Sequence, residues 1–148
     1  MNWISEHLDS KDKQQIKAIN CSDLVRDQLP LVWDAIAREV NAVLTEVDNK
    51  QGGLIDRAAF SRQSASWRFK RTERPCYEVE VFRHHAAVHV VFDFRSNPMF
   101  PDGEPVGIKV EFRCRNSEVV MLMDDELVDV RDLARVILEP LVTGHRPR

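Results

Sequence analysis

The sequence is poor in cysteine and glycine, and it lacks any long hydrophobic run. Its three cysteines, Cys21, Cys76 and Cys114, are odd in number and widely spaced, which argues against a disulfide framework and against a zinc knuckle. We therefore expect three reduced thiols. Among five glycines only Gly52 and Gly53 are adjacent, and they follow a helical pattern, which excludes the phosphate-binding loops of P-loop and dinucleotide-binding proteins.

The sequence also lacks targeting and membrane signals. No apolar run approaches the roughly 18 residues that a membrane-spanning helix needs. Residues 1–7 have neither the basic nor the apolar segment of a secretory signal, so we expect a cytoplasmic location. Of the 148 residues, 43% are hydrophobic and 30% charged, which is typical of one globular domain, here residues 1–148.

The net charge of −3 is the sum of three segments whose net charges alternate in sign. Residues 57–95 hold eight Lys or Arg against four Asp or Glu, whereas residues 1–56 and 96–148 are acidic. In a compact fold, acidic flanks that pack near a basic middle compensate its charge. We therefore expect a smaller free basic surface than the middle segment alone would give.

Helical periodicity is clearest in the first third of the chain. Apolar residues recur at spacings of three and four, at Leu29, Trp33, Ile36, Val40, Val43 and Val47. This stripe predicts a long helix that begins or kinks near Pro30 and ends at Gln51-Gly52-Gly53. Residues 1–21 are expected to form a short helix and a polar loop. The stripe has heptad spacing and could join a dimer, but it is under three heptads long, so packing on a sheet is favoured.

The end of the chain predicts a second helix. Its acidic start at Asp124, Asp125 and Glu126 suits the positive end of a helix dipole. The side chains expected on its buried side are Val130, Leu133, Ile137 and Leu141. Residues 143–148 are expected to form a loose tail.

Between the helices the hydrophobic period changes to two. Five segments alternate apolar and polar residues, at 66–71, 77–81, 88–95, 106–115 and 118–123. Such alternation is typical of an antiparallel sheet with one buried face and one wet face. The predicted fold class is therefore α+β, a two-layer sandwich. A roughly five-stranded meander forms one layer, and the long N-terminal helix and the C-terminal helix pack on one face of it.

The second and third of these strands suggest a register. Pairing Tyr77 with Phe92, Val79 with Val90 and Val81 with Val88 gives three apolar pairs on one face. On the wet face the same register places His89 between Glu80 and, from the next strand, Glu111. Two carboxylates would raise the pKa of the imidazole. The group is either an acid/base site or a simple cross-strand charge ladder.

Three histidines, His84, His85 and His89, suggest a metal site, but their spacing along the chain argues against one. His85 and His89 would lie about 13 Å apart on one strand, at about 3.3 Å per residue. His84 and His85 would point to opposite sides of that strand unless a turn redirects them. One histidine with two carboxylates is a thin ligand set, so we expect no metal and no cofactor.

A basic run in the middle segment suggests a different partner. Trp67 and Phe69 alternate with cations, as in some single-strand nucleic-acid binders, and the candidate contacts are Arg62, Arg68, Lys70, Arg71 and Arg74. The simpler interpretation buries the aromatic rings and leaves the cations in water.

The loop 97–105 has three prolines and carries Met99 and Phe100 at its tip. An apolar tip on a stiff loop is suited to contact a partner or to cover a pocket. The alternative is that Phe100 folds back and closes one end of the sheet.

These features favour a non-enzymatic module that binds a protein or ligand, either as a homodimer or with another protein. The alternatives are a small enzyme or ligand carrier with a pocket between sheet and helix, and a single-strand nucleic-acid binder. The wet face supplies a mixed apolar patch for self-association, made of Phe82, Val91, Val120 and Leu122.

Overall fold

The structure, a computed structural model, describes residues 3–61, 63–93, 105–116 and 118–145, and it describes side chains from residue 23 onward apart from 58 and 59. Along the chain the elements are α1 Trp3–Lys50, β1 Ile55–Ala59, β2 Ser66–Arg71, β3 Glu78–His84, β4 Ala87–Asp93, β5 Val106–Arg115, β6 Glu118–Met123, β7 Glu126–Val128 and α2 Val130–Thr143. The described strands form one antiparallel meander in chain order. The α+β prediction is therefore confirmed, with seven strands in place of five.

Both helices pack on the same face of this sheet. Helix α1 contacts β5 and β6, helix α2 contacts β2 and β3, and the two helices contact each other. The stripe of α1 is buried against the sheet, with Trp33, Ile36 and Val40 at 3% exposure or less. The stripe therefore serves the chain's own core, as the favoured interpretation predicted.

Two tryptophans join α1 to the sheet. The ring of Trp33 stacks on the ring of Trp67, with centroids 3.9 Å apart. Each indole also donates a hydrogen bond of 2.9 Å, from Trp33 Nε1 to the Ser64 carbonyl and from Trp67 Nε1 to the Ser61 carbonyl. Buried indole N–H groups need such partners, so the loop before β2 is tied to the core.

Helix α1 is one continuous helix, where the sequence predicted a short helix, a polar loop and a start or kink near Pro30. The polar stretch is rich in Lys and Gln, which are good helix formers, so polarity alone does not interrupt it. An internal proline costs about 3 kcal/mol. Here Val25 and Trp33 are buried on either side of Pro30, and their packing offsets that cost.

The two strands missing from the prediction lie at the edges of the sheet. Strand β1 has a register irregularity between Asp56 and Ala59, which obscures its alternation. Strand β7 follows a turn in which Asp124 and Asp125 take φ values of 52° and 64°. Asp tolerates this left-handed conformation, so the acidic run closes a hairpin and does not open a helix.

Helix α2 begins later than predicted, after Asp129. The Asp129 carboxylate accepts a hydrogen bond from the Asp132 N–H at 2.7 Å, and the Asp132 carboxylate accepts one from the Asp129 N–H at 3.1 Å. This reciprocal capping box satisfies two donors of the first turn. Leu133, Ile137 and Leu141 are buried as predicted, whereas Val130 is partly buried.

The register between β3 and β4 differs from the predicted one by two residues. Val79 pairs with Phe92 and Val81 with Val90, because the hairpin turns tightly through two residues, His85 and Ala86. A shift of two leaves every side chain on its predicted face. The buried face is therefore as expected, but the neighbours of each side chain on the other face are not.

Candidate functional site on the open face of the sheet

The face of the sheet opposite the helices, here called the open face, is mixed in character. Ala87 and Leu122 are each only 5% exposed on it, although neither belongs to the core beneath the helices. Leu127, which pairs with Leu122 across the β6–β7 ladder, is 61% exposed. The open face therefore carries buried and exposed apolar side chains outside the main core.

One concavity on this face gathers histidines. It has a volume of about 360 Å³. We call it the histidine groove, and its side chains come from β3, β4, β5 and the turn: His84, His85, Ala87, His89, Lys109 and Glu111. Two of the predicted site residues, His89 and Glu111, therefore lie in one site.

The tight hairpin brings the imidazoles together. His84 pairs with Ala87 across the ladder, and His85 takes a φ of 55° in the turn. The ring of His84 lies 4.0 Å from the ring of His85 and 6.3 Å from the ring of His89, between centroids. The predicted separation of about 13 Å between His85 and His89 assumed that both lie on one straight strand. In the structure His85 lies in the turn and His89 in β4, so that distance does not apply.

The turn is also fixed to the neighbouring strand. The Phe112 N–H donates a hydrogen bond of 2.8 Å to the Ala86 carbonyl. This bond joins the β3–β4 turn to β5, so one end of the groove has a defined backbone. Preorganised walls of this kind reduce the entropy that a site loses on binding.

The neighbours of His89 are not the predicted carboxylates. His89 pairs with Phe82 on β3 and with Lys109 on β5, whereas Glu80 pairs with Val91 and Glu111 with Ala87. Partial burial of the ring, followed by the positive charges of Lys109 and His84, lowers the pKa of His89 below its usual 6.5. The prediction of a raised pKa is therefore wrong, because the β3–β4 and β4–β5 registers each differ by two residues from the predicted ones.

Glu111 is held by two cations. One of its oxygens accepts hydrogen bonds from Arg113 Nε at 3.0 Å and Nη2 at 2.6 Å, and the other lies 3.5 Å from Lys109 Nζ. The hydrogen bond and charge of Arg113, with a further contribution from Lys109, lower the pKa of Glu111. The carboxylate is therefore ionised and engaged, which makes it a weak proton acceptor.

Glu80 lies in a second depression on the open face, of about 340 Å³. Its lining also includes Arg68, Glu78 and Asp93. Arg68 bridges the strand pair, with Nε 3.1 Å from Glu78 and Nη2 3.8 Å from Glu80. Glu80 therefore lies outside the histidine groove, and its carboxylate forms an ion pair with Arg68.

The predicted basic patch is divided between the two faces of the sheet. Arg71 is only 8% exposed and lies under α2, where its Nη1 donates to the carbonyls of Leu141 at 2.6 Å and Val142 at 3.1 Å. The negative end of the helix dipole stabilises a cation there. Arg71 is therefore unavailable as a surface contact, and of the proposed contacts on β2 only Arg68 and Lys70 lie on the open face.

Several expected features lie outside the described residues or are altered. Met99, Phe100 and Arg62 lie outside them, as do residues 146–148 of the expected tail. Cys114 is disulfide-bonded and Cys76 is a free thiol, so the expectation of three reduced thiols is wrong for Cys114.

Two features are absent from the described part of the chain. No three His, Cys, Asp or Glu side chains within it are arranged to hold a metal ion. In the same residues, no helix is both long enough and apolar enough to cross a membrane.

The sequence did not predict Lys109 and His84 as neighbours of His89 in the groove. The two-residue turn at His85 and Ala86 sets His84 opposite Ala87, and the separate register between β4 and β5 sets Lys109 opposite His89. Asn and His are enriched among non-glycine residues with positive φ, and that enrichment is the signal that favours the tighter turn.

Comparison of the chain with protein-family models, with curated proteins and with solved structures finds no match.

Proposed function

We propose that this protein is a non-enzymatic binding module whose ligand site is the histidine groove. The observation that carries the proposal is the convergence of three imidazoles, Lys109 and Glu111 around one concave space of about 360 Å³. Ligand sites in proteins are concave spaces of about 300–1,000 Å³ with a few convergent polar groups. The groove meets both conditions, and its turn is held in place by the backbone of β5.

The same contacts favour binding over proton-transfer catalysis. An acid/base histidine works best when a carboxylate or carbonyl orients its ring. His89 instead lies between an aromatic ring and a lysine, and Glu111 is occupied by Arg113 and Lys109. The enzyme alternative with Glu80 loses support because Glu80 lines a different depression.

The other two alternatives also receive less support. The space between sheet and helices is filled by large side chains at 1% exposure or less, among them Trp67, Tyr77 and Phe92. Close packing of this kind leaves little room for a ligand there. For nucleic acid, Arg68 is paired with two glutamates and Arg71 is buried, so the proposed basic patch on β2 is not a continuous row of exposed, unpaired cations.

A second candidate function is self-association of two copies through the open face, and the exposure of Leu127 favours it. At about 4.8 Å between strands, seven strands make this face about 29 Å wide. An interface of standard size buries about 800 Å² on each partner, which a face of this width can supply. Replacing Leu127 by Ser is expected to convert such a dimer into a monomer.

The expected cytoplasmic location stays a prediction. The disulfide at Cys114 weighs against it, because structural disulfides are rare in reducing compartments.

A native mass spectrum of the gently purified protein tests both candidate functions. Excess mass on the folded species, lost on unfolding and absent from a His84→Gln/His89→Gln double variant, is the result expected for a ligand in the groove. The same adduct on the double variant would place the ligand elsewhere. A doubled subunit mass that Leu127→Ser abolishes would support self-association.

A further inference from the structure

We propose that the ligand of the histidine groove is a small organic anion, held beside Lys109 and the imidazole of His89. This inference rests on the proposed function and names the class of ligand. It depends on two features of the groove, the positive charge of Lys109 beside the open space and the histidine side chains that line it.

Strand β5 carries excess positive charge on the open face, and its charged residues that line the groove are Lys109 and Glu111. Its groups on the open face are Lys109, Glu111, Arg113 and Arg115, in alternating positions of the strand. The one carboxylate among them is contacted by two cations, Lys109 and Arg113. Glu111 therefore neutralises only part of the charge around it, and Lys109 remains beside the open space.

Histidine side chains form the opposite side of the groove. His84 on β3, His85 in the turn and His89 on β4 all line it. The positive charges of Lys109 and His84 already disfavour a proton on His89, after the larger effect of partial burial. The same positive field attracts an anion.

One cross-strand row fixes the position of the His89 imidazole beside Lys109. Phe82, His89 and Lys109 form this row over β3, β4 and β5. The Phe82 and His89 rings lie 5.0 Å apart, with planes 13° from parallel, so Phe82 covers one face of the imidazole. Lys109, which pairs with His89 on its other side, favours a negative charge there.

The second depression provides an internal comparison. It holds Glu78 and Glu80 with Arg68 as their shared cation, so these three groups carry one excess negative charge. An anion is therefore expected to select the groove and a cation of the same shape the second depression.

Three probes of nearly the same shape separate charge from shape: benzoate, benzamide and benzamidine, which are an anion, a neutral molecule and a cation. Binding of each to the full chain is followed by amide chemical shifts at pH 5.5 and 7.5. A carboxyl group of this kind titrates near about pH 4. Benzoate thus stays ionised at both pH values, and any change in its affinity reports on the protein.

The expected result is selective binding of benzoate in the groove. Benzoate shifts the amides of residues 86–89 and 109–111, and it binds about tenfold more tightly than benzamide, as one charge-assisted contact of about 1.5 kcal/mol predicts. Its affinity rises about threefold or more from pH 7.5 to 5.5, because each proton taken up on binding changes the affinity up to tenfold per pH unit. Lys109→Gln abolishes the preference for benzoate, whereas Lys70→Gln, on the same face outside the groove, preserves it.

Two outcomes would overturn the inference, and they are distinguishable. If benzamide or benzamidine shifts the groove amides as strongly as benzoate at both pH values, the ligand is not an anion, while the groove stands as a ligand site. If all three probes shift only amides outside the groove, the inference and the proposed function fail together.

Discussion

The imidazole of His89 stacks on the ring of Phe82, with centroids 5.0 Å apart and planes 13° from parallel, on the face of the sheet that the helices leave open. This contact follows from the two-residue turn between β3 and β4, which pairs the two residues directly. It places an aromatic ring where the predicted register placed a carboxylate. His89 therefore favours the neutral form of its imidazole, whereas the predicted register would have favoured the protonated form.

The lowered pKa of His89 predicts a pH dependence of stability. Its folded pKa lies below the usual 6.5, so the unfolded chain binds more protons and stability falls as the pH drops below 6.5 towards the folded value. His89→Gln removes this contribution. We expect urea unfolding to show a smaller loss between pH 7.5 and 5.5 in the variant than in the wild type. The exposed His145→Gln is the matched control, and a larger loss in His89→Gln would contradict the assignment.

The turn residue His85 is expected to lower the stability of the fold and to contribute to ligand binding. A side chain at positive φ costs about 1 kcal/mol relative to glycine, which adopts this conformation freely. His85→Gly should therefore leave the free energy of unfolding unchanged or raise it by up to about 1 kcal/mol. Because the variant also removes one imidazole from the groove, its affinity for benzoate at pH 5.5 should fall. Unchanged affinity in a stable variant would remove His85 from the site.

Arg71 is expected to stabilise the fold and to contribute nothing to binding. Arg71→Ala leaves the Leu141 and Val142 carbonyls without their donor and opens a space under α2, at a cost of about 2–4 kcal/mol. The neighbouring Lys70→Ala, on the open face, should stay within about 0.5 kcal/mol of the wild type. Equal unfolding free energies for the two variants would contradict the buried role of Arg71.

Gly144 is expected to be intolerant of a side chain. It caps α2 with a φ of 75°, and a Cβ there would lie 3.2 Å from the Arg71 guanidinium and 3.3 Å from Pro75. Gly144→Ala should lower the free energy of unfolding by about 1–2 kcal/mol. The control is Gly107→Ala, where the new Cβ meets no atom within 4 Å and φ is not positive. That variant should be neutral or slightly stabilising, and a similar loss in both would contradict the steric explanation.

The faces of the helices and strands could be predicted from the sequence, because burial imposes a period on the side chains. Tyr77, Val79 and Val88 are buried as their alternation predicts. The register could not be predicted in the same way, since every even shift satisfies that alternation equally well. The turn decides between these registers, and its length depends on whether His85 accepts a positive φ.

Edge elements and the candidate site were less predictable for related reasons. The acidic run Asp124 to Glu126 suits both a helix start and a left-handed turn, and the pairing of β6 with β7 selects the turn. His89 and Glu111 were recognised as site residues by their polarity within strands. Their true neighbours, Lys109 and His84, depend on the register and so could only be found in the structure.

The most direct test of the histidine groove as the ligand site is a screen of several hundred small fragments against isotope-labelled protein, read as amide shifts residue by residue. The expected result is that the strongest hits, enriched in carboxylates, shift residues 84–89 and 109–111 together and lose this effect in the His84→Gln/His89→Gln double variant. Hits that cluster elsewhere, or that persist unchanged in a folded double variant, would contradict the assignment.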